Sequence, residues 1–223
     1  MRWVTSDWHI GHLNICNFAD RPWAKGDSEF EKSLSVIEMN AALVSNYYKV
    51  VGESDECIFV GDMVMGDVQD GLDLLALMPG RKTLVVGNHD KIFAKNKPEV
   101  RNKWYDAYAE VFDEILTHME MSTGNHDVEV NHFTYVADKY DTSKRGQGDG
   151  KAVDRFADFR SPDEGKWLLH GHTHAHTWRS GPRSIHIGID ADWTRFGVER
   201  YHPIPIEAVD LAITNARLYR HDV

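Results

Sequence analysis

Short apolar runs alternate with longer amphipathic stretches along this chain, and the apolar runs stop at Gly, Asp, Asn or His. Arg2-Trp3-Val4-Thr5-Ser6 reads as a strand, with Asp7-Trp8-His9 directly behind it. Ser28 and Glu31 fit a capping box. Phe30, Leu34, Ile37, Ala41, Val44 and Tyr48 then recur at helical spacing, so a helix is expected over about 29 to 48. Glu56-Cys57-Ile58-Phe59-Val60 is a buried-type strand ending at Gly61-Asp62. Leu72 to Met78 reads as a short helix stopped by Pro79-Gly80. Thr83-Leu84-Val85-Val86 is a further buried strand, ending at Gly87-Asn88-His89-Asp90. Strand, helix, strand, helix, strand in this order predicts an α/β fold with a parallel core. Groups at the carboxyl ends of such strands share one edge of the sheet, where α/β folds bind ligands.

The second half continues the pattern with more strands. Pro98 opens a helix through Val111. Ile115 to Ser122 and Val128 to Val136 read as two strands joined by Thr123-Gly124-Asn125-His126-Asp127, the second carrying His132. The chain turns polar from Ala137 to Gly165, around Lys144-Arg145-Gly146-Gln147-Gly148-Asp149-Gly150-Lys151. We read about 138 to 165 as a loop insertion in a single domain spanning 1–223, with a short helix near Ala152 to Phe159. Lys166-Trp167-Leu168-Leu169 is a strand ending at His170-Gly171-His172-Thr173-His174, and Ser184 to Asp190 is another. Pro205 can start a final helix through about Tyr219.

Composition narrows the class. The 223 residues are 42% hydrophobic, with seven Trp, eight Tyr and nine Phe, enough for a sizeable core. The formal charge of −10 repels duplex nucleic acid and anionic lipid, but leaves small or single-stranded substrates open. Cys16 and Cys57 form no C-x-x-C motif, which points to free thiols in a reducing compartment. The first strand begins at once, leaving no room for a signal peptide, and no apolar run nears the roughly 18 residues of a membrane span. A cytoplasmic place is therefore expected. The thirteen histidines are many for this length, and several stand beside Asp, Asn or Gly.

Asp7 and His9 lie two apart at a strand end, so an extended chain would aim both one way, as a metal-ligand pair. Three more strand-like runs end in such residues. Asp7-Trp8-His9, Gly61-Asp62, Gly87-Asn88-His89-Asp90, His132 and Gly171-His172-Thr173-His174 stand in the order of the calcineurin-like metallophosphoesterase motifs. The chain resembles that family over residues 7 to 174, and its Asp-x-His-x-Gly-His opening followed by Arg-Pro is similar to small bacterial and bacteriophage members.

The resemblance implies a four-layer α/β/β/α sandwich with a two-metal site on one edge. Carried over, Asp7, His9, Asp62 and His174 would hold the first ion. Asp62, Asn88, His132 and His172 would hold the second, with Asp62 bridging. Imidazoles and oxygens without thiolate suit manganese first, or iron, zinc, cobalt or nickel, over magnesium or calcium. Two divalent ions against Asp7, Asp62 and a bridging hydroxide leave the site cationic, able to attract phosphate. The implied reaction is in-line attack of that hydroxide on phosphorus. His89 would protonate the leaving alkoxide, with Asp90 orienting it.

Other candidates stay open. His12 and Asn14 either contact the substrate phosphate or hydrogen-bond within their loop, and Arg21 is either a phosphate clamp or a surface ion pair. His170, His176 and His186 are read as structural, and Lys144, Arg145 and Lys151 as solvated charges rather than a lid. Gly124-Asn125-His126-Asp127 repeats the letters of Gly87 to Asp90, but sits between two strands and reads as a hairpin turn. The expected activity is a phosphodiesterase on small nucleotide or cyclic-nucleotide diesters. A phosphomonoesterase, a nuclease on short or single strands, and a non-catalytic scaffold are its rivals. The partner expected is the small substrate, with no membrane and no duplex nucleic acid, and a homo-oligomer stays open.

Overall fold

The computed structural model describes residues 1–136, 144–146 and 152–218. Strands β1 (Arg2–Thr5), β2 (Glu56–Phe59), β3 (Arg81–Val85) and β4 (Glu114–Leu116) pair in parallel in that order. Parallel neighbours need long crossovers. Here these carry helices α1 (Ile15–Phe18) and α2 (Glu29–Val50), then α3 (Val68–Ala76), then α4 (Pro98–Val111). The expected capping box is present, with Ser28 and Glu31 satisfying each other's backbone N–H at the start of α2. α3 starts earlier than expected because Asp67 caps it, accepting from Gln69 and Asp70.

The second sheet holds β5 (His118–Ser122) and β6 (Asp127–Asn131). A separate antiparallel ribbon follows, β7 (Lys144–Gly146) with β8 (Ala152–Asp154). The chain then returns to the second sheet as β9 (Trp167–His170), β10 (Arg179–Gly181) and β11 (Ser184–His186), giving the order β10-β11-β9-β6-β5. β12 (Ile204–Pro205) closes the far edge of the first sheet against β1, and α5 (Ile206–Leu218) ends the described chain.

Period-two alternation along the strands divides the interior into two cores. Trp3, Cys57, Phe59 and Leu84 pack with Met39, Leu43 and Tyr47 of α2, Leu72 and Leu75 of α3, and Tyr108 of α4. Their neighbours Val4, Ile58 and Val85 instead meet Val128, Val130, Leu169 and Ile185 of the second sheet. Burying a large apolar side chain of this kind contributes about 1.5–3 kcal/mol relative to exposure. α5 adds Val209, Ala212 and Ile213 to the inter-sheet core. The result is an α/β sandwich, and the strand ends of both sheets deliver the residues of interest to one edge.

Several boundaries differ from expectation. The run Ile115–Ser122 is two strands, because the chain leaves the first sheet at Leu116 and enters the second at His118. A continuous apolar run cannot reveal a change of partner. The expected strand Val128–Val136 stops at Asn131, and His132 already lies beyond it. Ala152–Phe159 is β8 followed by one 3-10 turn at Ala157–Phe159, not a helix. Ser184–Asp190 is a strand only to His186. Pro205 pairs with Trp3 in β12 instead of starting the last helix. Residues 137–143 and 147–151 of the polar stretch, and Tyr219, lie outside the described residues. Among the described residues no helix is long and apolar enough to cross a membrane.

Candidate metal centre

The loops leaving β1 and β2 stay paired beyond the strand ends. Asp7 N–H donates to the Gly61 carbonyl at 3.1 Å, and His9 N–H to that of Asp62 at 3.0 Å. Within these loops Asp7, His9 and Asp62 have φ of 60°, 53° and 56°, and His172 and His174 behind β9 have 68° and 50°. Non-glycine residues rarely adopt this left-handed region, at a cost of order 1–3 kcal/mol each. The common direction of Asp7 and His9 thus comes from left-handed turns past Thr5, not from an extended strand. Close approach adds to it. A Cβ on Gly87 would lie 2.3 Å from Asp62 Oδ1, and one on Gly171 2.3 Å from Asp7 Oδ2.

Two clusters of acceptor atoms result, Asp7 with His9 and His174, and Asp62 with His132 and His172. His9 Nε2 lies 3.1 Å from His174 Nε2 and 3.9 Å from Asp7 Oδ1. His132 Nε2 lies 3.3 Å from Asp62 Oδ2 and 3.2 Å from Asn88 Oδ1. Donor atoms sharing an ion at about 2.0–2.2 Å stand roughly 3–4 Å apart, so these spacings fit a cation in each cluster. Asp62 Oδ2 is also 3.8 Å from His9 Nε2, which puts one oxygen between the clusters. Its other oxygen is occupied, since Oδ1 accepts the His89 N–H at 2.7 Å. Oδ2 is therefore the Asp62 oxygen left facing both clusters.

A buried frame fixes these atoms. His132 Nδ1 is 2.7 Å from the Val60 carbonyl, which turns Nε2 toward Asp62. Burial would lower His132, but the Asp62 carboxylate outweighs it and pushes the imidazole up to about 10. Burial holds His9 well below its ordinary value, against the pull of Asp62. Asp190, read from the sequence only as the end of a strand, bonds His174 Nδ1 at 2.7 Å and so leaves Nε2 facing the cluster. Burial alone would raise Asp190, but the Arg21 guanidinium and His174 hold it below the usual carboxylate range.

Arg21 is not a surface group and has no donor aimed at a substrate. It is 1% exposed, binds both oxygens of Asp190 at 2.8 and 3.0 Å, and donates to the carbonyls of Asp7 and Trp8. Asp90 also differs from expectation. Its carboxylate accepts from Gly87 N–H at 2.7 Å and Asp62 N–H at 3.2 Å, and so holds the β3 loop against Asp62 instead of orienting the His89 ring. Ser6 is a further missed member, with Oγ 2.6 Å from Asp7 Oδ2.

The remaining candidates separate clearly. The exposed His89 ring lies 5.4 Å from that of His9. The His12 ring is 5.8 Å from His9, and its Nδ1 accepts the Asn14 N–H, so the loop hydrogen bond is real. Asn14 precedes α1 without a side-chain cap bond. His170 is buried against the Gly171 carbonyl and Ser180, His176 meets the Ala19 carbonyl, and His186 stacks on His170. A cleft of about 880 Å³ beside α4, bordered by Tyr105, Met119 and Phe159, includes none of the candidate ligands.

The second Gly-Asn-His-Asp is indeed the β5–β6 turn. Asn125 donates to Asp210 of α5 through N–H and Nδ2, and His126 Nε2 meets Thr214 at 3.0 Å. Joint replacement Asn125→Ala and His126→Ala is expected to leave metal content and turnover near wild type, while lowering stability by about 1–3 kcal/mol. Metal analysis beside a denaturant melt checks this, and metal loss from a folded variant would contradict it.

Comparison with known proteins agrees. Residues 2–184 match the calcineurin-like phosphoesterase family. The Gene 66 protein of Mycobacterium phage D29 is 33% identical over 198 residues, covering 85% of this chain and 87% of that one. The Gene 66 protein of Mycobacterium phage L5 is 34% identical over 212 residues, covering 86% and 87%. A solved protein of unknown function from Aquifex aeolicus shares the fold, with a TM-score of 0.58 at 23% identity over 95% of this chain and 98% of that one. With this match across most of its length, the chain belongs to the calcineurin-like phosphoesterases and is a metal-dependent phosphoester hydrolase.

Proposed function

We propose that the protein is a phosphodiesterase acting on small diesters, with 2′,3′- or 3′,5′-cyclic nucleotides as the substrate class. The commitment of Arg21 carries this reading. A monoester dianion needs cationic contacts beyond those a diester needs. The arginine nearest the motifs gives its donors to Asp190, Asp7 and Trp8 instead. A compact diester also suits a chain of charge −10, which repels long polyanions. The proposed place of action is a host cytoplasm, in keeping with the Mycobacterium phage origin of the relatives.

Asp7, His9, His174 and Asp62 would hold one divalent ion, and Asp62, Asn88, His132 and His172 the other, with manganese the first choice. Such ions supply Lewis acidity toward phosphate oxygens and a nucleophile at neutral pH. The chain's own part is positional. Asp190 and the Val60 carbonyl set the tautomers of His174 and His132, and His89 delivers a proton to the departing alkoxide. His12, at the rim beside His9, contacts the phosphate, with Asn14 behind it.

Turnover efficiency on bis-nitrophenyl phosphate and on cyclic nucleotides is expected to exceed that on nitrophenyl phosphate and nucleoside monophosphates. Side-by-side measurement with one metal decides it. Monoesters ahead by tenfold, about 1.4 kcal/mol of transition-state preference, would replace this reading with a phosphomonoesterase.

A further inference from the structure

The apolar stripe that predicts α2 is not the face that anchors it. Val36, Met39, Leu43 and Tyr47 point into the core. Phe30, Ile37 and Tyr48 stand 72%, 64% and 51% exposed. A surface helix ordinarily carries polar residues opposite its buried face, but α2 is apolar on both. Phe30, Leu34, Ile37, Ala41, Val44 and Tyr48 follow steps of four and three, the heptad spacing of a helix–helix seam. At 3.6 residues per turn they fall within about 80° of arc, centred opposite the buried side, with Leu34 and Val44 half-buried and Val44 packed against the core at the margin.

The stripe is also its own complement. Turned antiparallel about a two-fold axis near Met39, it sets Phe30 against Tyr48, Leu34 against Val44 and Ile37 against Ala41. Rings meet rings at the ends, branched aliphatics meet between them, and the small Ala41 faces Ile37 at the centre. Leu77, 74% exposed, extends the surface where Tyr48 Oη donates to its carbonyl. Large side chains bury about 150–250 Å² each. The four most exposed side chains therefore leave roughly 400–600 Å² of apolar area open, the bulk of the about 800 Å² per partner in a standard interface.

We propose that α2 is a dimerisation surface, pairing with α2 of a second copy in antiparallel register to give an isologous two-fold dimer. The occupant is another copy because the stripe matches itself in size order, in register and in seam spacing. The surface lies on the helical layer, separate from the ligand residues, so turnover does not depend on it.

Sedimentation velocity of the full chain tests the proposal. The expected particle has twice the 25.5 kDa chain mass at micromolar concentration. Ile37→Glu places two carboxylates beside the two-fold axis and is expected to weaken association about 100-fold, with turnover per chain unchanged. The register has its own check. Ile37→Cys with Ala41→Cys should cross-link copies under mild oxidation, whereas Phe30→Cys alone should not. The native Cys16 and Cys57 are buried and stay silent. A wild-type chain that remains monomeric at about 100 µM would overturn the proposal, including one that instead floats with phosphatidylcholine vesicles. So would a dimer that Ile37→Glu leaves intact, or efficient cross-linking through Phe30→Cys, which a parallel pairing requires.

Discussion

Replacing His89 with alanine is expected to lower turnover about 100- to 10,000-fold on natural diesters while both ions stay bound. The prediction rests on how His89 is attached. Its side chain belongs to neither acceptor cluster, and its ring lies exposed 5.4 Å from that of His9. Its contact with the ligand set is through the backbone, where N–H donates to Asp62 Oδ1 at 2.7 Å. Alanine keeps that N–H, so Asp62 keeps its orientation and only the imidazole is lost. The defect should shrink on nitrophenyl esters, whose leaving groups need little protonation. Metal analysis of the variant is the check. Loss of the ions would make His89 a ligand and remove the proton-donor role.

Exhaustive chelation is expected to abolish hydrolysis and to lower the melting temperature by about 10–20 °C, both restored by adding manganese. Each ion present at about 100 times its dissociation constant stabilises the folded state by about 2.7 kcal/mol, so two contribute about 5.4 kcal/mol. For a chain of this length that is about 2–4 °C per kcal/mol. The structure explains why stability responds as well as activity. Asp7, His9, Asp62, His172 and His174 are all held in left-handed backbone, and His9 Nε2 faces His174 Nε2 at 3.1 Å. A cation held by these residues would offset the cost of that backbone strain, so its binding free energy adds to folding. Undiminished hydrolysis after confirmed metal loss would contradict the account.

The sequence revealed what is local and concealed what depends on partners. The candidate ligands could be read because each follows a short apolar strand, and strands in parallel order place their ends together. Asp190 could not, since it stands sixteen residues beyond His174 outside any motif and acquires its role only when β11 brings it beside that imidazole. Arg21 was misplaced on the surface because charged residues usually lie there. The Asp190 carboxylate and two carbonyls are what make its burial tolerable. Asp90 adjoins His89 in sequence, yet the turn directs its carboxylate to Gly87 and Asp62. The split of Ile115–Ser122 between two sheets was invisible for the same reason, because periodicity reports which way side chains point and not which strand they meet.

Metal stoichiometry tests the central claim, that two ions sit in the paired clusters joined by Asp62. Elemental analysis of the manganese-loaded protein should find two ions per chain, one for each cluster. His132→Ala should keep the ion of the Asp7 cluster and lose the other, and His174→Ala should do the reverse. One ion per wild-type chain, or two retained in both variants with the fold intact, would contradict the dinuclear site.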